Sequence, residues 1–266
     1  MLHPSTVNVF LTSQLNRAGC APHAIRFFYN PNCIHMAAQW WRHITDLIYP
    51  PLCVSCGLLR PLDQHIFCLE CLHQLPETGF HLHAHNPFVT HFAGRIRLQA
   101  GASFLFFSRG GGTQRMLHQI KYNNQPDLIT AIGRWYGKQL LNAELWKGID
   151  VIVPVPLHWK KQRKRGYNQS AVFGEAIGDI MDIPCHPKAL LRVTHDRSLT
   201  GMKRIERVQT IGNSFVVARP ALVKEKHVLL VDDVLTTGAT LESCALALEA
   251  APVASIRMVT IACGEL

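Results

Sequence analysis

The sequence predicts an α/β protein, a parallel sheet flanked by helices, with a small cysteine-rich module on its amino-terminal side. Three observations carry this. From about residue 100, apolar runs of strand length alternate with amphipathic stretches of helix length, the pattern of parallel strands joined by crossover helices. Four of the nine cysteines stand as two C-x2-C pairs between residues 53 and 71. The last unit, residues 227–261, reads as strand, hydroxyl-rich glycine turn, helix and strand. A chain of 266 residues buries a core without covalent staples, and 48% hydrophobic with 17% charged residues excludes disordered, collagenous and coiled-coil classes.

Taken in order, residues 1–35 mix Pro4, Gly19, Pro22 and Pro31 with scattered polar residues and carry no period. They read as a disordered extension or as sequence upstream of a start at Met36, and no fold is assigned. Residues 36–50 predict a short amphipathic helix with Trp40, Trp41, Ile44, Leu47 and Ile48 on one stripe, ended by Pro50 and Pro51. With the cysteine pairs it makes a first unit over residues 36–80, followed by a second over 81–266. Pro76 to Pro87 looks like a loop or linker.

In the second unit, strands are expected at Ala102–Phe107, Val151–Val153, Leu190–Val193, Phe215–Val217, His227–Val231 and Ser255–Ile261. Helices are expected at Gln114–Tyr122, Asp127–Leu141, Ser170–Ile180 and Thr240–Leu248. Gly110-Gly111-Gly112 is a strand-to-helix turn, since no lysine follows in the spacing a P-loop requires.

Cys53-x2-Cys56 and Cys68-x2-Cys71 are separated by eleven residues. Each pair lets two sulfurs reach one ion from a tight turn, and four thiolates complete a zinc tetrahedron with no open position, so the predicted role is structural. Gly57 suits the first turn. His81, His83, His85 and His91 lack an accompanying carboxylate or cysteine and read as a solvated loop. Cys20, Cys33, Cys185, Cys244 and Cys263 read as unpaired thiols. Without a signal peptide or an apolar run of about 18 residues, the chain reads as cytoplasmic, reduced and not membrane-inserted. Twenty-seven basic against 18 acidic residues, a net charge of +9, points to anionic partners such as phosphates or nucleic acid.

Val228 to Thr240 is the most informative stretch: four apolar residues, the acids Asp232 and Asp233, then Thr236-Thr237-Gly238-Ala239-Thr240 opening a helix. Such a turn offers unpaired N–H groups and the positive end of the helix dipole to a phosphate. The acids suit sugar hydroxyls or a hydrated magnesium ion. The stretch resembles the phosphoribosyl pyrophosphate (PRPP) signature of type I phosphoribosyltransferases. That resemblance implies the type I fold, ribose 2- and 3-hydroxyl contacts for the catalytic acids Asp232 and Asp233, and 5-phosphate binding by Thr236, Thr237, Gly238, Ala239 and Thr240.

A second anion site is expected after Val153-Pro154-Val155-Pro156-Leu157-His158, in a loop with five basic residues between Lys160 and Arg165 followed by Gly166-Tyr167-Asn168-Gln169. Pyrophosphate is its natural occupant if the first site holds the 5-phosphate, with Lys160, Arg163, Arg165, Gly166, Asn168 and Gln169 as candidate contacts. The order of Ile48-Tyr49-Pro50, the two cysteine pairs, Ile120-Lys121-Tyr122, the Val153–Gln169 block and the acidic signature resembles the ComF family of bacterial competence proteins.

The resemblance spans about residues 40–264 and implies a PRPP–Mg site in a protein assisting single-stranded DNA internalisation, with helicase and DNA-processing partners. In that reading Trp159 and Tyr167 would stack on bases. The alternative is an active phosphoribosyltransferase of nucleobase or amine metabolism. One segment departs from the family pattern: Thr194 is followed by Arg197 where the family has glutamine, and Arg207 by Thr210 where it has asparagine. This corresponds to the mobile loop that closes over PRPP, where Lys203, Arg204 and Arg207 would meet pyrophosphate; the changes bear on turnover more than on ligand binding.

Overall fold

The computed structural model describes residues 52–58, 66–108, 110–122, 125–193 and 214–264. The expected helix over 36–50, the segment 1–35, and Lys203, Arg204 and Arg207 lie outside the described residues.

Four strands form one parallel sheet in the order β1-β6-β5-β2: β1 (Leu98–Phe106), β2 (Val151–Pro154), β5 (His227–Leu235) and β6 (Ser255–Cys263). Buried strands covered on both faces read as continuous apolar runs rather than alternating ones, and Val151–Val153 and Val228–Val231 are such runs, each residue at most 2% exposed. β3 (Leu190–Arg192) and β4 (Phe215–Val217) do not join this sheet; they pair antiparallel with each other.

The helices are α1 (Leu69–His73), α2 (Pro87–His91), α3 (Gly112–Tyr122), α4 (Pro126–Leu141), α5 (Trp159–Arg165), α6 (Gln169–Met181) and α7 (Ala239–Glu249). Alternate residues of a strand face opposite sides of the sheet. On β1, the Phe104 ring lies 5.0 Å from that of Tyr136 on α4, whereas a Cβ on Gly101 would strike the Phe88 ring of α2 at 2.4 Å. Helices therefore cover both faces. The core runs from Cys53, Phe67 and Cys68 through the sheet to Leu248 without interruption.

Two local expectations change. Pro76–Pro87 is no linker, because its backbone pairs with β1: Thr78 N donates to Phe104 O at 3.0 Å and Phe106 N to Pro76 O at 2.8 Å. Phe80 and His81 are buried there, with the Trp146 indole N–H donating to the His81 carbonyl at 2.9 Å. The basic stretch Lys160–Arg165 is helical rather than a loop; His158 Nδ1 accepts from Lys160 N at its start, and Gly166 at φ 82° ends it. Left-handed backbone at a helix end is glycine's usual place.

Candidate sugar-phosphate site and cysteine cluster

β5 carries Asp232 and Asp233 within its pairing with β6, which continues to Leu235, rather than beyond it. The two acids sit at the carboxyl end of the parallel sheet, where crevices open beside strand ends. A cavity of about 160 Å³ is lined there by Asp232, Asp233 and Thr240, by Val155, Pro156 and Leu157 after β2, by Lys161 and Arg165 of α5, by Gln169 and Ser170 of α6, and by Lys121 and Arg192.

Asp232 Oδ1 accepts from Ser170 Oγ at 2.9 Å and from the Asp233 backbone N–H at 2.8 Å. Burial, and then the neighbouring Asp233 charge, push its carboxyl up to about 7, partly offset by those two donors and by Lys121. Lys121 Nζ lies 3.3 Å from Asp233 Oδ2, so one acid is ion-paired while its neighbour is about half protonated at neutral pH. The pair can thus offer both an acceptor and, when Asp232 is protonated, a donor to a diol.

Thr236 and Thr237 are exposed, and Gly238, at φ +75°, caps α7 without any side-chain hydrogen bond at its start. The first N–H groups of this 11-residue helix lack a side-chain cap, as an anion-binding turn requires. Of these turn residues, Thr240 reaches the cavity lining.

The basic segment divides by helical periodicity. Lys161 and Arg165, one turn apart, face the cavity; Lys160 turns outward over the Trp159 ring at 5.4 Å, and Arg163 is exposed. Arg165 Nη1 donates to Gln169 Oε1 at 3.0 Å, which leaves the buried Gln169 Nε2 without a protein partner beside the cavity. Asn168 works structurally: Oδ1 accepts from Ser170 N to start α6, and Nδ2 donates to Val155 O at 2.9 Å. Tyr167 is half-buried with its hydroxyl donating to Ile120 O at 2.7 Å. Its ring is held rather than free; the exposed aromatics nearby are Trp159 and Tyr122, over which Arg165 sits at 6.0 Å.

From the sequence, Lys161 counts only as one of the five bases of its stretch and Lys121 only as part of a motif, while Ser170 and Arg192 carry no role. Lys121 had a weak signal, a cation in the last turn of an amphipathic helix; Arg192, at the end of a three-residue strand, had none.

The cysteine cluster converges as its spacing predicts. Cys53, Cys56, Cys68 and Cys71 place their sulfurs within 4.8 Å of one another, and Cys56 and Cys68 are 3.9 Å apart. A tetrahedron with Zn–S of about 2.3 Å needs sulfurs about 3.8 Å apart, so the four thiols fit such an ion. Gly57 takes φ +72° just after the first pair, and the Cys71 N–H points to Cys68 Sγ at 3.5 Å. Burial pushes the Cys71 thiol up to about 12, a penalty on the thiolate that coordination to a cation would relieve.

A phosphoribosyl transferase domain model matches residues 170–264, which contain the Asp232–Thr240 stretch. The chain is 33% identical to "Competence protein F" of Haemophilus influenzae over 130 residues, 47% of this chain and 57% of that one. It is 27% identical to "DNA utilization protein YhgH" of Escherichia coli over 133 residues, 49% of this chain and 58% of that one. Those matches span little more than half of either relative. "Competence protein ComFC" of Bacillus subtilis is 23% identical over 194 residues, 73% of this chain and 70% of that one. The chain therefore carries a phosphoribosyl transferase domain on a helix-flanked parallel sheet and is a homologue of the competence proteins F and ComFC and of the DNA utilization protein YhgH.

Proposed function

We propose that this protein binds PRPP with magnesium at the Asp232–Thr240 site and serves the handling of incoming single-stranded DNA. The observation that carries the first half is the convergence, around one cavity, of an acidic pair, an uncapped helix start and the cations Lys121, Lys161, Arg165 and Arg192. A phosphorylated sugar bearing a second, pyrophosphoryl anion matches that order of charge. Asp232 and Asp233 would hold the ribose diol, the 236–240 turn the 5-phosphate, and Lys161, Arg165 and Gln169 Nε2 the pyrophosphate. Asp232 and Asp233 would hold a hydrated magnesium ion near the ligand, and the charge that ion supplies would neutralise a pyrophosphate leaving group. The acids ask for a hydrated ion rather than direct coordination, since Lys121 already pairs with Asp233.

The second half draws on the names of the relatives and on a basic, aromatic surface: Trp159, Lys160, Arg163 and Lys164 on α5 and Tyr122 beside Arg165. Exposed aromatics between cations suit stacked bases and a phosphate backbone.

Differential scanning of the full chain tests the site. PRPP with magnesium should raise the unfolding midpoint of the wild type and leave the Asp232→Asn, Asp233→Asn double variant unmoved; protection of that variant by PRPP would refute the assignment. Labelled single-stranded oligonucleotide should bind with an affinity that falls steeply with salt, and binding that survives Trp159→Ala with Lys160→Ala and Lys164→Ala at full strength would remove α5 from the DNA surface.

A further inference from the structure

The histidine-rich run ends on the phosphate-type turn. His91, the last residue of α2, brings Nε2 to 3.1 Å from the Thr237 carbonyl. A carbonyl only accepts, so Nε2 carries the proton, as it does in one neutral tautomer and in the imidazolium alike. Arg95 fastens the contact from outside: Nη1 lies 2.6 Å from Glu242 Oε2 on α7, while Nη2 donates to the His91 carbonyl. Phe92, fully buried, closes the other side, and a Cβ on Gly238 would fall 2.9 Å from both His91 Nε2 and the Phe92 ring. Only glycine leaves room for α2 to sit so close to the turn.

That glycine creates a problem the histidine solves. Because glycine accepts left-handed and right-handed backbone at similar cost, the Thr237–Gly238 peptide can rotate cheaply. In a trans peptide the carbonyl and the next N–H point in opposite directions. With the Thr237 carbonyl held against α2, the Gly238 N–H is turned away from α2; with the peptide reversed, a carbonyl oxygen would replace that donor and repel an anion on the turn.

We propose that His91 is a positioning residue for the phosphate turn, holding the Thr237 carbonyl so that the turn presents N–H groups rather than a carbonyl oxygen to a sugar 5-phosphate. The inference rests on the reading of residues 236–240 as a 5-phosphate turn. His91 is not among the residues lining the acidic cavity, and its Nε2 contacts are with Thr237 and Gly238 of the turn. Its effect should therefore fall on one end of the ligand only.

Calorimetric titration of the full chain with ribose 5-phosphate and, separately, with magnesium pyrophosphate separates the two ends. His91→Ala should weaken ribose 5-phosphate roughly tenfold, the scale of one well-placed hydrogen bond, with pyrophosphate unchanged. His91→Gln, whose amide Nε2 reaches as far as the imidazole Nε2 and still donates, should recover most of the loss. Arg95→Ala should shift ribose 5-phosphate in the same direction by less. Unchanged ribose 5-phosphate binding in His91→Ala, or equal loss of both ligands, or no recovery in His91→Gln overturns the inference while the phosphoribosyl reading stands. A wild type that fails to bind ribose 5-phosphate overturns both.

Discussion

A carboxyl pushed up to about 7 is half protonated in neutral solution, and Asp232 is in that condition chiefly because it is buried and next because Asp233 stands beside it. In the unfolded chain the same group ionises near 4. Between pH 4 and 7 the folded state therefore holds a proton that the unfolded state has lost. The ligand-free protein loses stability as pH rises through this window and levels off above it. Asp232→Asn removes the penalty, and Asn Oδ1 can still accept from Ser170 and the Asp233 N–H. The variant should unfold roughly 3–6 °C above the ligand-free wild type at pH 8 and converge with it towards pH 4. A midpoint at or below the wild type's at pH 8 would remove the buried-charge account. At this scale the sequence is readable where chemistry is contiguous: Asp232, Asp233 and the 236–240 turn stand together in one run. Ser170, Lys121 and Arg192 reach the same cavity from α6, α3 and β3, and nothing local in the chain marks their convergence.

Helices α4 and α6 pack closely, and glycine makes it possible. A Cβ on Gly133 of α4 would lie 2.6 Å from Ala176 Cβ and 3.0 Å from the Phe173 carbonyl of α6, and one on Gly137 would lie 3.1 Å from Ile180 Cβ. Neither Ala176 nor a helix backbone yields as a long side chain does. Gly133→Val should push the helices apart and cost about 2–3 kcal/mol, lowering the unfolding midpoint by roughly 5–10 °C; a change under a degree would mean the seam adapts. Helix α4 itself is legible in sequence because Pro126 opens it and Leu128, Ile129, Ile132, Tyr136 and Leu140 repeat at helical spacing. Helix α5 is not, because all seven of its residues are at least partly exposed and a solvated helix writes no apolar stripe. The Pro76–Pro87 run is obscured for the opposite reason. Its burial depends on β1 and Trp146, both distant in the chain.

Helix α3 ties the cysteine cluster to the acidic cavity. At its start a Cβ on Gly112 would collide with Ser55 Oγ at 1.9 Å, and Arg115 Nε donates to the Ser55 carbonyl at 2.6 Å, gripping the turn between Cys53 and Cys56. At its end Ile120 accepts from Tyr167, and Lys121 pairs with Asp233. Residues Pro51–Leu266 form a single compact unit, with Cys53, Phe67 and Cys68 in the same core as the sheet. Metal binding at a closed thiolate site contributes directly to folding free energy, so a zinc ion held by these four sulfurs would stabilise the whole unit. Cys68→Ser should abolish stoichiometric zinc and lower the unfolding midpoint by more than about 5 °C in a single transition. The PRPP–Mg shift should shrink as well. Arg115→Ala separates the two effects, since it leaves all four sulfurs in place: zinc content should stay at one per chain while the ligand shift falls. Two resolved transitions in Cys68→Ser, with the larger one unmoved, would show that the cluster folds apart from the sheet and that α3 transmits nothing between them.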